Sequence, residues 1–148
     1  MDEPQVWVVT GASRGIGEAI AGRAYAEGHH VALLARGESV ESVAESLGDR
    51  AIGLRTDVSD PASIAAAFER IIERFGDVNV VVNNAGLHRG GKLKRLALDD
   101  FQDVLDVNLT GALAVAKAAV PYFSEGDSLI NIGAVVGFRG FPGDVAYA

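Results

Sequence analysis

The chain has no cysteine among its 148 residues, which rules out disulfides, zinc–thiolate centres and cysteine nucleophiles. It also lacks a basic excess: 13 Lys and Arg stand against 20 Asp and Glu, a formal net charge of -7. A nucleic-acid footprint, which needs a basic face, is therefore excluded, although a local basic pocket for one phosphate is not. No apolar run approaches the ~20 residues of a membrane span. The acidic start MDEPQ leads into no apolar stretch of signal-peptide type, so the expectation is a soluble, cytoplasmic protein. Repeats, low-complexity tracts and linkers are missing too, which leaves residues 1–148 as a single domain with no second one. Apolar residues at 49% and charged residues at 22% give that domain the composition of a globular core.

Short β-branched runs alternate with longer segments of helical period, the pattern of an α/β protein with a doubly wound parallel sheet. The strand candidates are QVWVVT (5–10), HVALLA (30–35), AIGLRT (51–56), VNVVVN (78–83) and SLINIG (128–133). Four are nearly continuous apolar runs, as strands covered by helices on both faces should be. AIGLRT is mixed and suits an edge. Residues 16–27 read as a helix with Ile16, Ile20 and Ala24 on its inner stripe and Gly28 closing it. Residues 62–75 form the clearest helix, with Asp60 suited to the cap and Pro61 to the first turn. A shorter helix is expected at 39–47. The segment 99–123 carries Phe101, Val104, Leu105, Ala112 and Val115 on one stripe, with Pro121 ending or kinking it. Asn108 falls on that stripe, and an asparagine facing a core is costly unless its amide is hydrogen-bonded.

TGASRGIG (10–17) places Gly11, Gly15 and Gly17 between the first strand and the first helix. Glycines there allow a tight turn and a close backbone approach to a pyrophosphate, while the helix N-terminus offers free N–H groups and the positive end of its dipole. The spacing G-x3-G-x-G is neither the common dinucleotide fingerprint nor a P-loop, since no G-K-[ST] follows. An ordinary glycine turn is the plain alternative.

TGASRGIG, NNAG (83–86) and VNLTG (107–111), in that order, resemble the motifs of the classical short-chain dehydrogenase/reductase family, and the resemblance runs from the first strand to Tyr147. It implies a Rossmann-like sheet of order 3-2-1-4-5 and a nicotinamide cofactor held by Gly11, Ser13, Arg14, Gly15, Ile16 and Gly17. The same resemblance puts Asn84, Ala85 and Gly86 beneath the cofactor ribose and Asp57 with Val58 at the adenine. Asp57 has the alternative of capping the turn into Pro61, and one asparagine of the Asn83–Asn84 pair is expected to hold neighbouring strands. At the end of the second strand, where a carboxylate would choose NAD, this chain has Ala35 followed by Arg36. Arg36 and Arg14 together favour NADP(H), because guanidinium suits a 2′-phosphate in charge and geometry. Solvated surface arginines are the alternative.

The resemblance further implies hydride transfer between nicotinamide and a carbonyl or alcohol carbon, with Tyr147 exchanging the proton and Asn108 anchoring a relay. A purely structural Asn108 remains open. A tyrosine phenol is a poor acid–base group at neutral pH, and the family relies on a lysine to improve it. That lysine falls beyond Ala148, along with the last strands and helices of the family. The family's serine, thirteen residues before the tyrosine, is Ala134 here. The chain is accordingly expected to be an impaired reductase, and a nucleotide-binding sensor of the same fold is the rival reading. An unrelated flavodoxin-like binding domain is a third.

LHRGGKLKRLALDDF (87–101) and the INIG–VVG pattern resemble 3-oxoacyl-carrier-protein reductases, which makes a 3-oxoacyl thioester a candidate substrate. Arg89, Lys92, Lys94 and Arg95 form either a surface that steers an acidic carrier or, more plainly, a solvated basic loop. His29, His30 and His88 lack metal-ligand companions and read as surface or packing residues, so no metal is expected. Ala112, Ala114, Ala116, Ala118 and Ala119 would let a second copy approach closely in a homodimer or homotetramer.

Overall fold

The computed structural model describes residues 3–148. Met1 and Asp2, which the expected 1–148 domain includes, lie outside the described residues. Five strands form one parallel sheet: β1 (Val6–Thr10), β2 (His30–Ala35), β3 (Ala51–Arg55), β4 (Val80–Asn83) and β5 (Ser128–Asn131). Their order is β3-β2-β1-β4-β5, so the mixed AIGLRT run is indeed an edge strand. Register is set by pairs such as Val8 with Ala32 and with Val81, and Asn83 with Asn131.

Residues of β1, β2 and β4 alternate between two cores, which explains their continuous apolar runs; the apolar run of β5, expected to be covered likewise, is exposed. Val6 and Val8 of β1, Ala32 and Leu34 of β2 and Val81 of β4 pack on one side with Ile64, Phe68, Ile71, Val115 and Ala119. Val9, Val31, Leu33, Val80 and Val82 face the other side, against Ala21, Ala24, Val40 and Ala44. Helices α1 (Gly15–Ala26) and α2 (Ser39–Leu47) cover this second face. The first is covered by α3 (Pro61–Phe75) and by α4, a continuous helical stretch over Leu98–Tyr122.

Helix α3 starts and stops as its sequence dictates. The Asp60 carboxylate accepts the Ala62 N–H at 3.0 Å, Pro61 occupies the first turn, and Gly76 closes the helix at φ 80°. In α1 the expected inner stripe is borne out at Ala24 and Ile20 and corrected at Ile16. Ile16 is 64% exposed and the buried residues are Gly17, Ala21 and Ala24. Gly17 takes the closest approach at the start of the helix, while Ile20 packs on the edge of the same core.

The long helix is corrected in two ways. Its middle, Asp106–Gly111, is wound as a π-helix between the α-helical segments Leu98–Leu105 and Ala112–Ala119, and Val120–Tyr122 closes it as a 3-10 turn containing Pro121. The inward positions are Val104, Gly111, Val115 and Ala119, with Gly111 replacing the expected Ala112. Ala114, Ala118 and Ala119 pack on the core, so they are not free to face a second copy; Leu109, Leu113 and Val120 point outward instead. By length and composition alone this stretch of 25 residues passes as a membrane span, contrary to the sequence expectation, yet one side of it packs on the sheet.

Candidate active site and nucleotide cleft

The chain runs outward from β1 through β2 to β3, then returns to β4 on the other side of β1. Ligand crevices of open α/β sheets lie at such a reversal, outside the carboxyl ends of the strands. A cleft of ≈ 600 Å³ opens there, lined by the end of β2 and the turns that follow β1 to β4.

Its floor is built by the glycine loop. Gly11 and Gly15 have φ of 65° and 60°, left-handed conformations that admit glycine without strain. A Cβ on Gly17 would lie 2.5 Å from both the Gly11 carbonyl oxygen and the Asn84 side-chain nitrogen, so only glycine lets α1 close on the loop. At the start of α1, Arg14 is extended and no side chain caps the helix, which leaves first-turn N–H groups facing the cleft. No neighbour stands within 4 Å of where a Cβ on Gly15 would be. Space, free donors and a positive dipole end together fit the pyrophosphate of a dinucleotide.

Two side chains pin this loop to β4. Asn84 Nδ2 donates to the Thr10 and Gly11 carbonyls at 2.9 and 3.3 Å, and the Thr10 hydroxyl accepts from the Asn84 and Ala85 N–H groups at 3.0 and 2.9 Å. Asn83 holds neighbouring elements, donating to the Ala112 carbonyl and to Asn131 Oδ1 at 3.0 and 2.9 Å. The pinning role of Thr10 escaped the sequence reading, although the residue belongs to TGASRGIG.

Of the expected cofactor residues, Gly11, Ser13, Arg14, Gly15, Ile16, Arg36, Asp57, Val58, Asn84, Ala85 and Gly86 line the cleft together. Gly17 supports it from beneath. Ser39, Thr56 and Val107 also line it and were not foreseen. Arg14 and Arg36 are exposed, and neither enters an ion pair among the described residues. Asp57 Oδ1 accepts the Ser59 hydroxyl at 2.6 Å and the Ser59 N–H at 2.9 Å, so it does cap its own turn. The Ser59 hydroxyl holds its carboxyl below the usual range, against some desolvation, and the nearby Arg36 charge works in the same direction.

Asn108, in the π-helical segment, resolves the core-facing amide. Its Oδ1 accepts the Leu87 N–H at 2.7 Å and its Nδ2 donates to the Leu87 carbonyl at 2.9 Å. The residues after NNAG are thereby fastened to α4. Ala134 is half-buried beyond β5, its carbonyl accepting the Gly137 N–H at 3.1 Å, before an unforeseen helical turn over Val136–Arg139. Tyr147 stacks edge-to-face on His88 at 5.1 Å. Asn108 and Tyr147 adjoin the cleft through Leu87 and His88, and neither they nor Ala134 line it. Arg89 lies 3.6 Å from Asp100, while Lys92, Lys94 and Arg95 stay exposed. His29 packs on Trp7 and His30 on Phe75.

The model of the family described as short chain dehydrogenase matches residues 5–148, all five strands and the whole site. The chain belongs to the short chain dehydrogenase family. Among the curated relatives of this short chain dehydrogenase is a 3-oxoacyl-[acyl-carrier-protein] reductase of Salmonella typhimurium, 38% identical over 99% of this chain and 61% of its own length. Another is carbonyl reductase family member 4 of Danio rerio, 41% identical over 95% of this chain and 61% of its own. The chain thus spans about three fifths of the length of these relatives. Of solved structures, an alcohol dehydrogenase from Thermococcus sibiricus complexed with 5-hydroxy-NADP superposes with a TM-score of 0.93 at 36% identity, covering 98% of this chain and 64% of that one. A 3-ketoacyl-(acyl-carrier-protein) reductase from Brucella melitensis complexed with NADH gives 0.92 at 29% identity, covering 97% and 62%. In this short chain dehydrogenase the glycine loop, the NNAG turn and the VNLTG π-helical segment are the parts that meet around one cleft.

Proposed function

We propose that this chain is the nucleotide-binding part of an NADP(H)-dependent oxidoreductase acting on a carbonyl or alcohol substrate, with a 3-oxoacyl thioester as the substrate class. The observation that carries the cofactor preference is the pair of unpartnered guanidiniums, Arg14 and Arg36, on a cleft wall where Ala35 stands in place of a carboxylate. Their charge and planar donors suit a 2′-phosphate. The first turn of α1 with Gly11, Ser13, Gly15 and Ile16 would hold the pyrophosphate, Asp57 and Val58 the adenine, and Asn84, Ala85 and Gly86 the ribose. A bound nicotinamide cofactor supplies or accepts the hydride. Tyr147 exchanges the proton with the substrate oxygen. Asn108 fixes Leu87 and so sets the wall beside that oxygen. In this reading the protein works in the cytoplasm, as a homodimer or homotetramer, with Lys92, Lys94 and Arg95 available to an acidic carrier.

Fluorescence titration tests the preference. NADPH is expected to bind at least about tenfold tighter than NADH, a difference of ~1.4 kcal/mol, and Arg36→Ala should remove most of that gap. Tighter binding of NADH overturns the assignment.

Ala134 favours a second reading, a nucleotide-binding sensor without turnover, because the position lacks the hydroxyl that would steady a developing oxyanion. One such donor is worth ~10²–10³ in rate. Ala134→Ser in the full-length encoded protein is expected to raise carbonyl-dependent NADPH oxidation on that order if the protein is a reductase. NADPH binding that persists with no gain in turnover selects the sensor.

A further inference from the structure

His88 looks unaccompanied in the sequence, but the fold gives it two companions. Its Nε2 lies 2.9 Å from Asp144 Oδ1, and its ring meets the Tyr147 ring at an interplanar angle of 83° with centroids 5.1 Å apart. Asp144 and Tyr147 belong to one turn, closed by the Tyr147 and Ala148 N–H groups donating to the Asp144 carbonyl at 3.0 and 2.9 Å. The histidine side is equally fixed. Asn108 clamps the backbone of the preceding Leu87 through both amide atoms, and the Gly91 N–H donates to the Gly143 carbonyl at 2.6 Å. Gly90 leaves room for the imidazole, since a Cβ there would come within 3.2 Å of His88 Cε1. The Asp144 side chain is 19% exposed, while the imidazole it holds stays 54% exposed. Ala134 offers no hydroxyl to orient anything from the β5 side.

We infer that His88, oriented by Asp144, is a positioning residue that holds the Tyr147 ring in the direction proton exchange requires. The inference rests on the reductase reading above, which gives Tyr147 its role. The carboxylate takes the Nε2 hydrogen and fixes the rotation of the imidazole. The imidazole in turn fixes the phenol ring through an edge-to-face contact, a geometry that aromatic rings prefer over direct face-to-face stacking. The path runs from the π-helical segment through Asn108, Leu87 and His88 to Tyr147, so the tyrosine's direction is set by α4 and not by its own turn alone.

Two measurements test this. In the full-length encoded protein, with NADPH and a 3-oxobutyryl thioester as probe, His88→Ala and Asp144→Ala are expected to lower kcat about tenfold, because misdirected reacting groups lose rate steeply. KM for the thioester and Kd for NADPH should stay within about twofold, since neither variant alters the cleft walls. Asp144→Asn keeps an acceptor oxygen for Nε2–H and should restore most of the rate. Unchanged kcat in His88→Ala, or losses of kcat and NADPH binding in parallel, overturns the inference. Independently of turnover, NMR of this chain with ring-labelled tyrosine should show cross-relaxation between Tyr147 and His88, with Tyr147 assigned by Tyr147→Phe. Asp144→Ala should abolish that contact and average the Tyr147 signals. Failure of both the wild-type protein and Ala134→Ser to oxidise NADPH with the carbonyl probe sinks the reductase reading. The NMR result then decides alone, and a Tyr147 ring that stays equally ordered in Asp144→Ala refutes the positioning.

Discussion

Asp57 caps its own turn, one of the two roles its sequence allows, and its position leaves the other open to a ligand in the cleft. Its carboxylate closes its own turn onto Ser59, and it also stands in the wall of the nucleotide cleft with Arg36 near enough to favour its charge. Both effects hold its folded-state ionisation below the ordinary carboxylate range, with the Ser59 hydroxyl the larger cause. A carboxyl that is more acidic folded than unfolded contributes stability at neutral pH, and that contribution fades as pH falls through its depressed folded value. Asp57→Asn is therefore expected to lose a small part of the stability at pH 7 and progressively less as pH falls through the depressed folded value, so its unfolding midpoint should depend less on acid than that of wild type. Denaturant titrations of both proteins across that range check this. A constant gap between the two at every pH would mean that Asp57 acts through shape and not charge.

At the scale of elements, the strands and α3 were readable because their signals are made by side chains with strong preferences. Parallel strands covered on both faces need apolar residues at every position, and β2 and β4 show that as HVALLA and VVVN. Asp60, Pro61 and Gly76 mark the ends of α3 through a bond, a fixed φ and a left-handed φ. The inner faces of α1 and α4 were readable only in part: Ala24, Val104 and Val115 are buried as expected, whereas Gly17 and Gly111 gave no signal. The helices' closest contacts are made by these two glycines, which carry no apolar side chain yet permit the nearest approach. A Cβ on Gly111 would sit 2.8 Å from the Val58 carbonyl oxygen, a backbone atom that cannot rotate away. The π-helical winding of Asp106–Gly111 was equally silent, because propensity does not distinguish it from an α-helical turn. It falls on VNLTG all the same, a frequent association of such segments with functional sites. Among site residues, the glycine loop and the NNAG turn were legible as motifs. Thr10 as a pin and His88 beside Tyr147 were not, since each acts through a partner more than fifty residues away in the chain.

At the scale of the whole molecule, the cleft is a junction and not a depression in one element. Its lining comes from the end of β2, the turns after β1 to β4, the first turn of α1, the start of α2 and the π-helical segment of α4, so it draws on helices from both faces of the sheet. Strand β5 stands apart from this junction: all four of its residues are exposed and it pairs only with β4. A ligand that binds the folded chain alone stabilises it by RT ln(1 + [L]/Kd), ~2.7 kcal/mol at a hundredfold excess over Kd. For a chain of this size that corresponds to a rise of about 5–10 °C in Tm. NADPH is expected to give such a rise, and NADH at the same concentration a smaller one, as read by calorimetry. Hydrogen exchange locates the effect. Protection should increase most at the glycine loop, the first turn of α1 and the Asn84–Gly86 turn, where local opening competes with binding, and least in β5, which does not line the cleft. Protection that rises first in β5 would place the nucleotide elsewhere, and equal shifts with both nucleotides would remove Arg14 and Arg36 from any role in choosing between them.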